Sequence, residues 1–398
     1  MLKDISEFKI DQIARSYAAF VQYINDAVLI ATGSYPSALS LNDLVRLSDG
    51  KPNPVDPNTP LSYAPSLGSK ELCQRLAEIH STPGAPLTEN HVVITPGSIM
   101  ANYLVLATTL GPGDHAICQF PTYGQLYLLP RHLGVEVDLW VMKEENSWIP
   151  DIEELEKLIQ PNTKAIVLNN PNNPTGGTLA RDTLDKIQSL AQQHDLTLIG
   201  DEVFRPLFHT PSPPPPSVVS LGYRKSVSTG SVSKAYSLPG IRIGWIISPD
   251  SEIITQVTNA RDYTTLSVSR VDDSIAAFAL SPAVLPRLIE RNLEICALNL
   301  ESIDDLIARN PGRCAWIRPT GACTAFVRLW DSDGRLVDDL GFSRRLIDET
   351  GISVIPGDSC FGEDGVAGFR GYIRISLGQE PSLFAEALEK IEVLVRSL

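Results

Sequence analysis

The sequence predicts an α/β fold in which a large domain on a mostly parallel sheet is joined to a smaller α/β domain, and three observations carry that expectation. From about residue 55 to 280, short apolar runs alternate with amphipathic stretches, the pattern of repeated βα units. Two of those runs, Ala165-Ile-Val-Leu-Asn169 and Leu196-Thr-Leu-Ile-Gly-Asp201, finish in polar residues, and the C-terminal edge of such a sheet is where ligands bind. The hydrophobic content of 43% over 398 residues is ample for a large core and for two or three domains.

The elements follow in order. Asp11 to Ala31 has a helical pattern, and Gly33-Ser-Tyr-Pro opens an irregular stretch that runs to Asn53; residues 1–54 form an N-terminal segment shared with the smaller domain. Residues 55–280 form the large domain. Within it, Val93-Ile-Thr-Pro-Gly97-Ser98-Ile99 reads as a strand, a glycine turn and the start of a helix, and Cys118 to Tyr123 as a strand ending in an aromatic ring. Leu179 to His194 is an amphipathic helix, and Pro211 to Pro216 a solvent-exposed loop. Residues 281–398 make the smaller domain, with a helix over Leu285 to Asn310 and a strand over Ala322 to Leu329.

Lys234 is the most informative residue, because a lysine set among small and hydroxyl residues in Ser231-Val-Ser-Lys234-Ala-Tyr-Ser has no packing role. An amine held where it can lose its proton and meet a carbonyl suits Schiff-base chemistry, most commonly with pyridoxal 5′-phosphate (PLP). Ser231 and Arg242 would supply a hydroxyl and a guanidinium to the cofactor phosphate. Gly97, Ser98 and Ile99, at the start of a helix, are further phosphate-loop candidates. Asn173, in Asn170-Pro-Asn-Asn173-Pro-Thr-Gly, and Asp201 converge on the same sheet edge, although Asn173 also reads as a turn former and Asp201 as a helix N-cap or loop carboxylate.

Taken together, PNNPTG, D-E-x-F and SxSK-x(7)-R-x-G resemble, in order and spacing and over nearly the whole chain, the fold type I PLP enzymes of the class I/II aminotransferase superfamily. The resemblance implies an aspartate aminotransferase-like fold with PLP as cofactor. Lys234 would form the internal aldimine, Asp201 would pair with the protonated pyridine nitrogen, and Asn173 would donate to the phenolate oxygen. Tyr123 would stack on the ring, where a half-buried strand-end tyrosine is the plainer alternative. Tyr63 would reach the phosphate of a partner subunit, and Thr264 to Ser267 lie in a segment of the same kind, so a homodimer with shared sites is implied. Arg374, flanked by Ile373 and Ile375, would clamp the substrate α-carboxylate, with Arg370 a nearby alternative.

One departure stands out: Phe204 occupies the place of the tyrosine whose hydroxyl serves the phenolate in the family. The strings around Lys234 and Arg261 to Ser267 are also similar to capreomycidine synthase, which eliminates and cyclises. The expected reaction is therefore transamination of an amino acid, with PLP-dependent elimination or cyclisation as the alternative; a PLP-binding protein without catalysis is disfavoured because the other chemical residues are present. In either reaction the freed Lys234 amine would remove the Cα proton.

Composition narrows the partners. A net charge of −14 disfavours nucleic acid and anionic membranes. No apolar run approaches the roughly 20 residues that span a bilayer, and the N-terminus lacks a signal-peptide pattern, so a cytoplasmic enzyme is expected. The six histidines form no ligand cluster and the six cysteines no CxxC, which predicts no metal site and free thiols.

Overall fold

A computed structural model describes residues 33–48, 50, 53–210 and 213–398. The helical pattern at Asp11 to Ala31 and the first two residues of the Pro211 to Pro216 run lie outside the described residues.

Seven apolar segments assemble into the larger sheet: β1 (Val92–Thr95), β2 (His115–Phe120), β3 (Glu136–Val141), β4 (Thr163–Asn169), β5 (Thr197–Asp201), β6 (Ser226–Ser231) and β7 (Gly244–Ile247). Their order is β1-β7-β6-β5-β4-β2-β3. Strands β2 to β6 pair in parallel, whereas β7 is antiparallel to both β6 and β1. Two reversals cancel, so β1 runs with the parallel set. The C-terminal ends of β1 to β6 and the N-terminal end of β7 therefore share one edge.

Alternation along each strand splits the core in two, as a period of two requires. Ala165 and Val167 of β4 face one side with Cys118, Ile199, Val227 and Ile246. Ile166 and Leu168 face the other with Ile117, Leu198 and Ile247. Helices Ser98–Thr109, Gln125–His132 and Ser251–Asp262 add apolar residues to the first side, and Lys70–His80, Arg181–Gln193 and Arg270–Ala279 to the second. Covering both faces is why these strands read as nearly continuous apolar runs. Ser69, Asp250 and Ser269 accept the first helical N–H groups, each cap worth roughly 1 kcal/mol.

The second sheet is antiparallel, ordered β10-β11-β9-β8, from β8 (Cys314–Trp316), β9 (Thr324–Leu329), β10 (Ile355–Pro356) and β11 (Tyr372–Ser376). Helices Leu285–Arg309 and Pro381–Arg396 are tied by Glu392, which accepts from Arg309 Nη2 at 2.8 Å and Asn310 Nδ2 at 2.9 Å. The strand expected from Ala322 begins at Thr324, because Ala322 takes a left-handed φ of 60° that breaks extension. The segment from Gly33 to Ser40 straps the two parts together: Ser37 N donates to Gly378 O at 2.7 Å and Leu39 N to Ser237 O at 3.0 Å. Gly378 can carry no side chain, since a methyl there would run into the Tyr35 carbonyl. Among the described residues no helix is long and apolar enough to cross a membrane.

Candidate active site

The shared sheet edge gathers the chemistry. Tyr123 follows β2, Asn173 follows β4, Asp201 ends β5, Ser231 ends β6 with Lys234 three residues on, Gly97 follows β1 and Arg242 precedes β7.

An anion cradle forms between the ends of β1 and β7. Gly97 caps helix Ser98–Thr109 with φ 81° and offers no side chain to the first helical N–H groups, which leaves those donors for a ligand. A methyl on Gly97 would strike the Arg242 guanidinium, and one on Gly244 would come within 2.6 Å of Ser98 N. Arg242 donates from Nη1 to Ser233 Oγ at 3.2 Å and to Pro239 O at 2.9 Å. Buried Ser231 accepts at Oγ from Ser233 N, 3.2 Å away. The Ile99 side chain points to solvent while its carbonyl accepts from Gln125 Nε2 at 2.8 Å.

Asp201 is buried and no helix follows it, which removes the N-cap reading. Its Oδ2 accepts from Asn102 Nδ2 at 3.0 Å and its Oδ1 from Val203 N at 3.2 Å. Burial raises its pKa to about 6 against the pull of these donors. Asn102 is itself oriented by Thr229, whose Oγ1 donates to Asn102 Oδ1 at 2.6 Å. Tyr123, on the neighbouring loop, has its hydroxyl pKa raised first by burial and then by the charge of Asp201.

Asn169 joins Asp201 to Asn173: its Nδ2 donates to Asp201 O at 3.1 Å and its Oδ1 accepts from Asn173 N at 2.7 Å. Asn173 Oδ1 in turn accepts from Arg374 Nη1 at 2.9 Å, a contact that crosses from the large sheet to β11. Arg374 is 9% exposed, and burial lowers its pKa to about 10. Arg370 is exposed and faces a surface cleft with Asp331, Arg335 and Arg345, so Arg374 is the arginine turned to this site.

Lys234 Nζ donates to Ser34 Oγ at 2.7 Å and lies 5.6 Å from the centre of the Tyr35 ring. Burial lowers its pKa to about 8, with Arg374 and Arg242 adding to the fall and Cys323 and Asp201 opposing it. Phe204 sits in the turn after β5, buried in the same cluster as Val232, Ala235 and Tyr236 around the lysine loop. Tyr63 is not gathered into this group; it stands 76% exposed, with its carbonyl accepting from Arg270 Nε at 2.9 Å.

Sequence reasoning did not single out Asn102, Asn169 or Ser34. A lone asparagine in the otherwise apolar helix Ser98–Thr109, one turn from the glycine cap, was the available signal for Asn102.

A buried carboxylate, a lysine with a lowered pKa, a two-sided arginine set and a glycine-capped helix start fit a phosphorylated pyridine aldehyde at every functional group. Fold and site thus define a PLP-dependent enzyme of fold type I. The chain belongs to the aminotransferase class I and II family, whose model matches residues 28–391. It is 31% identical to capreomycidine synthase of Streptomyces vinaceus over 298 residues, 74% of this chain and 72% of that protein. It is 29% identical to an arginine–pyruvate transaminase of Pseudomonas aeruginosa over 339 residues, 84% of this chain and 83% of that protein. A solved PLP-dependent aminotransferase from Streptococcus suis superposes with a TM-score of 0.84 at 32% identity, covering 96% of each chain. An aspartate aminotransferase from Thermotoga maritima shares the fold with a TM-score of 0.81 at 23% identity, covering 99% of this chain and 98% of its own.

Proposed function

We propose that this enzyme transfers the amino group of an α-amino acid to a keto acid, with its own residues in the following roles. PLP, when bound, supplies the electron sink for the bond broken at Cα. Lys234 carries the cofactor and, once released, takes and returns the Cα proton; a pKa near 8 keeps a useful share of its amine neutral at physiological pH. The Asp201 carboxylate holds a proton on the ring nitrogen, and Asn102 fixes its direction. Tyr123 covers the ring face. Gly97, Ser98, Ile99, Ser231 and Arg242 hold the phosphate, and Arg374 binds the substrate carboxylate with Asn173 beside it.

The observation that carries this reading is the Arg374 to Asn173 contact, which brings a buried guanidinium from the small sheet to the loop after β4 and so supports a carboxylate-binding role beside the proposed cofactor residues. A homodimer is part of the proposal: Leu61, Tyr63 and Tyr263 are 89%, 76% and 94% exposed, large apolar side chains that a second copy would cover. A cytoplasmic home accords with free thiols at Cys118, Cys296 and Cys323.

Phe204 and the likeness to capreomycidine synthase favour a second reading, elimination or cyclisation. Mixing the enzyme with a panel of amino acids and no keto-acid acceptor separates the two. Transamination leaves the amino nitrogen on the cofactor as pyridoxamine phosphate and stops after one equivalent of keto acid. Repeated turnover with loss of a leaving group, and no pyridoxamine phosphate, would replace the first reading with the second.

A further inference from the structure

Arg261 lies in the last turn of helix Ser251–Asp262, just before the exposed Tyr263 and the Thr264 to Ser267 segment, and is 0% exposed. Among the described residues its Nε, Nη1 and Nη2, all buried, have no hydrogen-bond partner. Nor has Thr265 Oγ1, also buried. Thr265 N donates to Arg261 O at 3.0 Å, so the two residues belong to one tight turn that closes the helix.

Neighbouring acids do not answer the guanidinium. Asp262 is exposed. Asp273, close enough to act on Cys73, accepts instead from Ser69 N at 3.0 Å. Cys73, whose charge would help Arg261, has its thiol pushed up to about 12 by burial, and its Sγ donates to Leu67 O at 3.5 Å. A guanidinium keeps its charge even when desolvated, and an unpaired buried charge is among the most costly features a fold can hold. The missing counter-charge must come from outside these side chains.

We propose that Arg261 and Thr265 form a binding site for a small inorganic anion of the size of chloride, apart from the side chains that this chain gathers at the shared sheet edge. Arg261 itself is fully covered, which favours a small ion over a bulky one. The donor set suits it: a guanidinium fork and a hydroxyl, with no competing carboxylate in contact. Occupancy would stabilise the protein by mass action whether or not the aminotransferase reading holds.

Thermal unfolding of the cofactor-saturated enzyme in sodium chloride, against sodium gluconate at equal ionic strength, tests the site. The midpoint should rise by about 1 to 2 °C for each tenfold increase in chloride above its Kd. Arg261→Met should abolish that dependence and unfold, without chloride, no earlier than the parent; Thr265→Val should shift the dependence to higher chloride. A bromide-soaked crystal of the unaltered enzyme should show an anomalous peak within hydrogen-bond reach of Arg261, a readout that survives if Arg261→Met fails to fold. A chloride-independent midpoint with no bromide peak, or an equal chloride response in Arg261→Met, overturns the proposal. So does a chloride-independent loss of dimer in Arg261→Met by light scattering, which would assign the counter-charge to a carboxylate of the second copy.

Discussion

Asp201 shows how burial and function pull on one side chain. Its carboxyl has a pKa of about 6 in the folded chain against an ordinary value of 3.8, so between those values the folded state holds the proton more tightly. Stability from this group is therefore present below about pH 4 and is lost as pH rises through 6, by an amount on the order of 3 kcal/mol. Urea unfolding of the cofactor-free protein at pH 4.5 and pH 7 should show about 2 kcal/mol of that loss, and Asp201→Asn should flatten it while weakening PLP binding. Ser34 acts in the opposite sense on Lys234, because an oxygen that accepts from the ammonium favours the charged amine. In Ser34→Ala the lysine should titrate below the parent value of about 8, which competitive labelling of the cofactor-free protein against pH will measure. An unchanged titration would mean that the contact does not hold the amine.

At the scale of single elements, the start of helix Ser98–Thr109 does the most with the least sequence. Gly97 combines a φ of 81° with contact against the Arg242 guanidinium, so any side chain is strained by the backbone and then displaces the arginine. Gly97→Ala should weaken PLP binding at least tenfold in a fluorescence titration and leave far-ultraviolet circular dichroism intact; equal affinity would remove this loop from the phosphate site. The turn after β5 is the converse case. The motif D-E-x-F located it, yet whether position 204 reaches a ligand depends on how the core around it packs, which takes in residues from many distant segments.

Across the whole molecule, the strap from Gly33 to Ser40, the parallel sheet and β11 meet at Lys234, Asn173 and Arg374, so both sheets must be folded and docked before the site exists. In the homodimer proposed above, the exposed ring of Tyr63 would extend that dependence to a second copy. Multi-angle light scattering should give twice the 43.4 kDa chain mass at assay concentration. Tyr63→Ala should keep that mass while weakening PLP binding; a fully active species at the chain mass would refute the shared site.

Lys234, Asp201, Asn173 and Arg242 were legible in the sequence because each sits in a short motif whose local chain geometry fixes its place at a strand end, and the alternation of apolar runs followed from strands buried on both faces. Asn102, Asn169 and Ser34 were not, because they are common residues in unremarkable settings that become partners of Asp201, Asn173 and Lys234 through packing; Ser34 lies 200 residues from the lysine it contacts. The choice between Arg370 and Arg374 shows the same division. Sequence supplied two arginines four residues apart. The positive-φ turn at Gly371 and the register that sets Arg374 opposite Phe326 and Ile355 sent one to solvent and the other against Asn173, since which side a strand residue faces is decided by its neighbours in the sheet.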